Sequence, residues 1–449
     1  MSRKKLGLGI IGLILIAVIY YFTAGSEKLT NEMKVRVNTE LTMIEQNGFA
    51  VQEREVKEKE EHFVLTFDNP EKIVKFFKQQ GSEMDIEDAK ALVGIKIGVD
   101  LKYLNDTYSA LSADMYPLNL PASISNVPDL DKADKALIKQ LNDMLGRKAF
   151  LVHIDFNKLL SSFKGYIKDI DETFTVETQA TVGLKGATFE GTIGNDRINT
   201  LVQNIANIHV KSGDDFDVSL DQLNSTYKLT GASIYDSIYH YTIHMIKIAA
   251  KKDNNTFSVM INDIKGENET AVQKDLASNK IKLNIANIEM KENDQKTKFM
   301  GTSFSFNVGN LDMNILNKLE ELDMKNEAEA NRLIQALISK GITMDIPSFE
   351  VKKLEYTGQK IDGFSLTSSF KVNKTANLAA IQANPFAALS AVNTKTKLVL
   401  SDALFTLIAQ QPRAMMLAMI IQPQVINGKK VYEIELKDGK LTVNGIPMM

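Results

Sequence analysis

The sequence predicts an α+β protein in which an N-terminal transmembrane helix is followed by a β-rich body, a long, curved antiparallel sheet with flanking helices. Two observations predict this class. An uncharged run at 6–25 follows three basic residues, Arg3, Lys4 and Lys5. From about 173 to 306, apolar residues recur at every second position. The first pattern is typical of a membrane-spanning helix and the second of strands with one buried face.

The run at 6–25 is long enough to cross a bilayer, because a helix rises about 1.5 Å per residue and the hydrocarbon core is roughly 30 Å thick. The basic cluster favours a cytoplasmic N-terminus, with the body across the membrane. A cleaved signal peptide is the alternative, since Ala24, Gly25 and Ser26 are small, but signal peptides have shorter apolar cores. The predicted anchor residues are Leu6, Ile10, Leu13, Ile16, Ile19, Tyr20 and Tyr21.

Composition excludes several classes of protein. The 449 residues suffice for more than one packing unit, because single cores stop growing at about 250 to 300 residues. The 53 basic and 56 acidic residues are mixed along the chain, so no positive field favours nucleic acid. Absence of cysteine excludes disulfides and thiolate sites, and in an exported chain it favours a bacterial envelope. The predicted regions are 1–25 (cytoplasmic tip and anchor), 26–147 (stalk helix and α+β region), 148–310 (antiparallel sheet) and 311–449 (α+β region with apolar helices and a terminal hairpin).

The body begins with a predicted stalk helix, and its other elements follow from apolar spacing and from turn residues. Helices are predicted at 29–46, after Asn69-Pro70, and at 131–145, 311–322 and 327–339. Strands are predicted at 49–56, 63–67, 94–104, 150–156, 173–182, 187–193, 205–210, 216–219, 226–230, 239–249, 256–262, 281–290, 298–307, 346–356 and 363–372.

Residues typical of turns separate the predicted strands. The tetrapeptide Lys265-Gly-Glu-Asn268 is one predicted turn between strands of the sheet. At the end of the chain, 431–437 alternates apolar and polar residues before Asp438-Gly439, and Leu441 and Val443 follow. Asp-Gly is a favoured two-residue hairpin turn, so this segment predicts a β-hairpin.

No residue pattern indicates catalysis, a cofactor or a metal. His240 and His244 share a face, but the zincin motif needs Glu where Tyr241 stands, so we interpret them as sheet residues. His62, His153 and His209 are isolated in the sequence and need no function. Phosphate-binding loops and nucleophile elbows are absent from the sequence.

A second apolar stretch at 403–421 is a candidate hydrophobic contact surface. A membrane span ranks last for it, because Arg413 is central and Pro412 breaks a helix. A packed core or dimer contact ranks first, and contact with a hydrophobic ligand or a membrane surface ranks second. The candidate contact residues are Leu404, Phe405, Leu407, Ile408, Met415, Met416, Met419 and Ile420.

Three segments together resemble the YdgA-like family of bacterial envelope proteins, whose shared domain has no established function. They are Tyr432-Glu-Ile-Glu-Leu-Lys-Asp-Gly-Lys-Leu-Thr-Val-Asn-Gly445, the stretch 333–341 leading into Met344-Asp-Ile-Pro-Ser-Phe-Glu-Val351, and 363–367. The charged hairpin at 55–61 departs from the family, whose members tend to carry a Gly-aromatic turn there. The resemblance implies an inner-membrane protein that faces the periplasm and forms a homodimer, and it brings no catalytic residue.

We therefore expect a single-pass protein of the bacterial inner membrane with a large periplasmic body. The leading interpretation is a non-enzymatic structural or interaction component of the cell envelope, acting through protein binding as a homodimer or in an envelope protein complex. The alternative is a carrier that binds lipid or another hydrophobic ligand in a β-sheet groove. A hydrolase ranks third, and no residue is assigned to it.

Overall fold

A computed structural model describes residues 31–79, 84–104, 108–121, 132–175, 179–194, 197–233, 235–252, 255–320, 322, 326–410 and 421–448. The chain divides into two compact units, one up to Lys228 and the other from Leu229.

The part of the chain that the structure describes is mostly β, with 60% of those residues in strands and 21% in helices, so the predicted α+β class is wrong. The reason is strand length, because several strands of 14 to 19 residues continue through polar segments that interrupt the predicted ones. The predicted transmembrane helix and the membrane assignment that depended on it are not supported either. Within the described residues, none of the helices combines the length and the hydropathy that a membrane crossing needs. The predicted anchor residues Leu6, Ile10, Leu13, Ile16, Ile19, Tyr20 and Tyr21 lie outside the described residues.

The first unit is a sheet with one helix before its first strand and three helices between its early strands. Its helices are α1 (Asn31–Gln46), α2 (Pro70–Gln79), α3 (Ile86–Leu92) and α4 (Lys132–Gly146). Its strands are β1 (Phe49–Val56), β2 (Glu60–Phe67), β3 (Lys96–Tyr103), β4 (Ser109–Pro117), β5 (Val152–Asn157), β6 (Ser162–Ile167), β7 (Ile170–Thr175), β8 (Gln179–Lys185), β9 (Ala187–Gly194), β10 (Arg197–Ser212) and β11 (Phe216–Leu229).

These strands pair antiparallel in the order β1-β2-β3-β4-β5-β6-β9-β10-β11, and the other end of β10 pairs with β8, which pairs with β7. One face of this sheet is apolar, since Phe63, Val99 and Ile154 alternate with polar residues along their strands. They form one buried cluster with Leu41 of α1 and Phe77 of α2. The opposite face of this sheet is polar and does not belong to the buried cluster.

The second unit is a meander of long strands followed by short ones. Its strands are β12 (Ser237–Lys252), β13 (Asn255–Gln273), β14 (Leu276–Glu292), β15 (Gln295–Asp312), β16 (Thr343–Tyr356), β17 (Gln359–Val372), β18 (Val392–Ser401), β19 (Gln424–Ile426), β20 (Lys429–Lys437), β21 (Lys440–Val443) and β22 (Ile446–Pro447). Its helices are α5 (Met313–Glu320), α6 (Glu327–Ile338), α7 (Leu378–Ala383), α8 (Ala387–Ala391) and α9 (Asp402–Ala409). From β12 to β18 each strand pairs antiparallel with the next, and β18 then pairs with β20.

The predicted terminal hairpin is confirmed. Strands β20 and β21 pair from Ile434 opposite Val443 to Lys437 opposite Lys440. Asp438 and Gly439 connect them with φ angles of 51° and 79°. Two positive φ angles define the tight turn that matches strand twist, so this local prediction needed no tertiary information.

The predicted turn at Lys265-Gly-Glu-Asn268 is wrong, because these residues lie inside β13. Gly266 is covered by the ring of Tyr241 from β12, which leaves no room for a Cβ at this position. The carboxylate of Glu267 binds Lys282 of β14 at 2.8 Å. Cross-strand partners therefore hold a turn-like sequence in an extended conformation.

Candidate ligand-binding face

The long strands of the second unit align their apolar residues in rows that cross the sheet. Paired residues of neighbouring strands lie on the same side of a sheet, so each row belongs to one face. The central row consists of Ile243, Ile264, Ile285, Thr302, Val351 and Phe364. The next row consists of Tyr241, Gly266, Leu283, Phe304, Phe349 and Leu366. We call these two rows the apolar face.

Aromatic rings fill the β15 to β17 part of the apolar face. The ring of Phe349 packs nearly perpendicular to Phe304, with 5.9 Å between centroids, and to Phe364, with 5.1 Å. Such edge-to-face pairs add about 0.5 to 1.5 kcal/mol each beyond the burial of their area. At the other end, the ring of Tyr241 covers the gap left by Gly266. The apolar face is therefore lined by large side chains across all six strands.

The opposite face of the same strands carries charges. Glu267 lies between Lys282, at 2.8 Å, and His240, at 3.6 Å. Lys280 binds Glu269 at 3.3 Å. The hydrogen bond from Lys282 lowers the pKa of Glu267 below its usual value. The long sheet is thus amphipathic, with an ion-paired face and an apolar face.

Each strand from β12 to β17 shifts its apolar alternation by one residue at the same place. Apolar residues are two apart on either side of this place, but Ile243 and Ile246 are three apart, and the other five strands repeat this spacing. One of the two intervening residues of each strand drops out of the ladder along a line across the sheet, where Asp263 and Gly301 have φ angles of 52° and 66°. A bulge of this kind re-aims the following side chains. It indicates that a further row continues the apolar face: Ile246, Ile261, Ile288, Phe299, Leu354 and Ile361.

The residues of the apolar face are partly exposed or buried, and none is fully open to solvent. Ile264 and Val351 are buried, but Ile281, which extends the face along β14, is 37% exposed. Helices α5, α8 and α9 have their main contacts with β15, β17, β18 and β20. Thr302 is the one polar member of the central row, and its buried Oγ1 has no hydrogen-bond partner among the described residues.

The contact surface predicted from the sequence lies elsewhere in this unit and is only partly described. Leu404, Phe405, Leu407 and Ile408 lie on α9, which Ser401 caps by accepting a hydrogen bond from the Leu404 amide. Leu404 is 6% exposed and Ile408 is 39% exposed, so the helix has one inward side and one outward side. Met415, Met416, Met419 and Ile420 lie outside the described residues.

Sequence reasoning missed a polar cluster on the first unit. Asp100 accepts hydrogen bonds from His62 Nδ1 at 2.7 Å, Tyr116 Oη at 2.9 Å and Lys148 Nζ at 2.9 Å. Burial alone would raise the pKa of Asp100, but the donors Lys148, His62 and Tyr116 together hold it below its usual value. Lys148 Nζ also lies 3.7 Å from the centroid of the Tyr116 ring. Asp100 is thus a carboxylate fixed in its ionised form.

A second histidine on the polar face of the first unit, His153, is also paired with carboxylates. His153 lies between Asp114, 2.6 Å from its Nδ1, and Asp155, 3.3 Å from its Nε2. Its ring stacks on Tyr166 with 4.9 Å between centroids. Both pairs join residues nearly forty positions apart in the chain, so only strand pairing brings them together.

The strand predicted around His240 and His244 is confirmed, since both lie in β12. His244 Nδ1 is 3.1 Å from Asp263. In the part of the chain that the structure describes, no three acidic or histidine side chains are arranged to hold a metal ion.

Comparison with known proteins finds no matching family model, no matching curated protein and no matching solved structure. The resemblance to the YdgA-like family therefore stays a prediction.

Proposed function

We propose that this protein is a non-enzymatic carrier that holds the acyl chain of a lipid against the apolar face of its long sheet. The observation that carries the proposal is the central row, in which five apolar residues and Thr302 are paired without interruption by a charge across six strands. An apolar surface of this extent that is partly exposed to solvent is typical of a binding surface.

The dimensions of the apolar face fit a hydrocarbon chain. Six strands have five spacings of about 4.8 Å between them, so a row is roughly 24 Å long. An acyl chain spans one leaflet, about half of the 30 Å hydrocarbon core of a bilayer. A row is therefore long enough for one extended acyl chain. The ion pairs of Glu267 and Glu269 lie on the other side of these strands, so hydrocarbon is the chemistry that the two rows complement.

The second candidate is the interaction component of the bacterial envelope expected from the sequence. It is favoured by exposed apolar residues on the short C-terminal strands. Val425 of β19 is 65% exposed, as is Ile446 of β22. Short strands with exposed apolar residues are sites where another chain can pair. A location in the periplasm of a bacterium stays a prediction from the sequence.

Binding of a fluorescent fatty acid to the delipidated full-length protein tests the carrier. We expect saturable binding that Ile285→Ser weakens at least tenfold, because a hydroxyl replaces aliphatic surface in the central row. Asn284→Ser is the matched control, since Asn284 is adjacent in β14, is exposed and points to the charged face. Circular dichroism verifies that both variants are folded.

Native mass spectrometry of the purified protein separates the two candidates. A carrier retains lipid, which Ile285→Ser reduces. Protein oligomers without lipid, together with no binding of the fluorescent fatty acid, would reject the carrier and favour the interaction component. Equal binding by the two serine variants would show that the apolar face is not the site.

A further inference from the structure

A cavity on the polar face of the first unit is independent of the apolar face. It is about 400 Å³ in volume, and its lining includes Tyr166, Thr188, Glu190 and Asn204. Tyr166, Thr188 and Asn204 are paired across β6, β9 and β10, so they stand in one row on one face. The cavity is thus built on three strands of the sheet, which hold its walls at fixed spacings.

The ring of Tyr166 forms one wall of this cavity. One side of the ring stacks on His153, with 4.9 Å between centroids and 27° between planes. The next residue in the row is Thr188, whose side chain is small, and both residues line the cavity. Tyr166 is 45% exposed. Asn204 stands two strands away, at roughly 10 Å, which leaves room for one further ring between them.

Hydrogen-bonding groups surround this gap. Thr188, Glu190 and Asn204 offer a hydroxyl, a carboxylate and an amide, and none of these side chains has a hydrogen-bond partner among the described residues. Asp155 contributes a second carboxylate, which is 3.3 Å from His153. Lys164 lies between the two carboxylates in the neighbouring row and over the ring of Tyr108. Two carboxylates and one ammonium line the cavity, so it has no excess of cations for a phosphate and only one unbalanced carboxylate for a polyamine. It therefore favours a neutral ligand.

We infer that this cavity binds a neutral sugar. A pyranose ring has an apolar C–H face that stacks on an aromatic ring, and hydroxyls around its edge that both donate and accept hydrogen bonds. The wall formed by Tyr166 matches the apolar face of the sugar, and the carboxylate, amide and hydroxyl groups match its edge. The lining of the cavity does not offer the set of cations that a phosphorylated ligand or a nucleotide would need.

Titration calorimetry of the full chain with N,N′-diacetylchitobiose and with maltose tests this site. We expect one of these disaccharides to bind, and Tyr166→Ala to weaken its binding at least tenfold. Tyr356→Ala is the matched control, because Tyr356 is 41% exposed but lies in the second unit, and it leaves binding unchanged. Thr188→Leu fills the gap beside the ring and abolishes binding without removing any hydrogen-bonding group of Glu190 or Asn204.

Circular dichroism of each variant distinguishes loss of the fold from loss of the binding site. Failure of both disaccharides to bind the wild-type protein would overturn the inference. So would binding that neither Tyr166→Ala nor Thr188→Leu changes, or binding of glucuronic acid in place of the neutral sugars.

Discussion

Replacing Asp100 by Asn tests whether the polar face of the first unit is held by a charge. The Asp100 carboxylate accepts three hydrogen bonds, from His62, Tyr116 and Lys148, at 2.7 to 2.9 Å. Asn keeps the volume and one acceptor oxygen, but it loses the charge and places an amide donor opposite other donors. The variant therefore removes the electrostatic part of the interaction without creating a cavity.

The expected loss is about 2 kcal/mol of unfolding free energy. Hydrogen bonds to charged groups contribute about 1.5 to 3 kcal/mol each, but the remaining amide oxygen recovers part of this and solvent screens the rest. Screening matters because the Asp100 side chain is 31% exposed. Two of the three donors would have to find water or another acceptor in the variant.

The loss of unfolding free energy in Asp100→Asn should depend on pH, and the pKa shift of Asp100 gives the direction. The pKa of Asp100 is lower in the folded protein than the usual value of 3.8, so the ionised carboxylate stabilises the fold above that value. The contribution disappears as the pH falls through the folded pKa, because the carboxyl is then protonated in both states. The difference between wild type and variant is therefore largest near neutral pH and smallest in strong acid.

Urea unfolding of the full chain, followed by circular dichroism at about pH 7 and about pH 3, measures this difference. Asp171→Asn is the control, since Asp171 is 60% exposed and pairs with Lys185 at 3.1 Å. An exposed pair of this kind is worth at most about 1 kcal/mol. Equal losses for the two variants, or a loss for Asp100→Asn that is as large in acid as at neutral pH, would refute the reasoning.

Two further substitutions test the second unit by thermal unfolding. Thr302→Val should raise stability by about 1 kcal/mol, because it replaces a buried hydroxyl that lacks a partner by a methyl group of similar size. A lower melting temperature would show that this hydroxyl is bonded. Gly439→Val should lower stability by about 1 to 3 kcal/mol, because a β-branched residue is strained at a φ of 79°. Asp438→Gly keeps the turn and serves as its control, and equal melting temperatures for the two variants would contradict the turn geometry.

Local features of the fold were predictable from the sequence because their causes are local. The hairpin at Asp438-Gly439 follows from the φ requirement of a two-residue turn. The helix predicted at 327–339 corresponds to α6, whose Asn326 side chain accepts a hydrogen bond from the Glu329 amide as an N-cap. Both signals act over four or five residues, so no distant contact was needed to interpret them.

The long strands were not predictable in the same manner because partners distant along the chain stabilise them. Gly266 and Glu267 indicate a turn by composition, but Tyr241 and Lys282 hold them in a strand. The shift of apolar alternation at Ile243 and Ile246 looks like the end of a strand until the same shift is seen in its neighbours. For that reason the predicted class contained too little strand.

The candidate sites were even harder to predict from the sequence. The apolar face needs the register of six strands, which no single strand determines. His62 and Asp100 are 38 residues apart and meet only because β2 pairs with β3. No spacing signal in the chain marks such a pair in advance. Isolated histidines were for this reason interpreted as having no function.

The order of strands in the second unit has a consequence for its synthesis. From β12 to β18 each strand pairs with the one made just before it. The nascent sheet can therefore add one hairpin at a time as the chain leaves the ribosome, without waiting for distant segments. At every step the newest strand presents an unpaired edge, so a ribosome that pauses in this region exposes a template for aggregation.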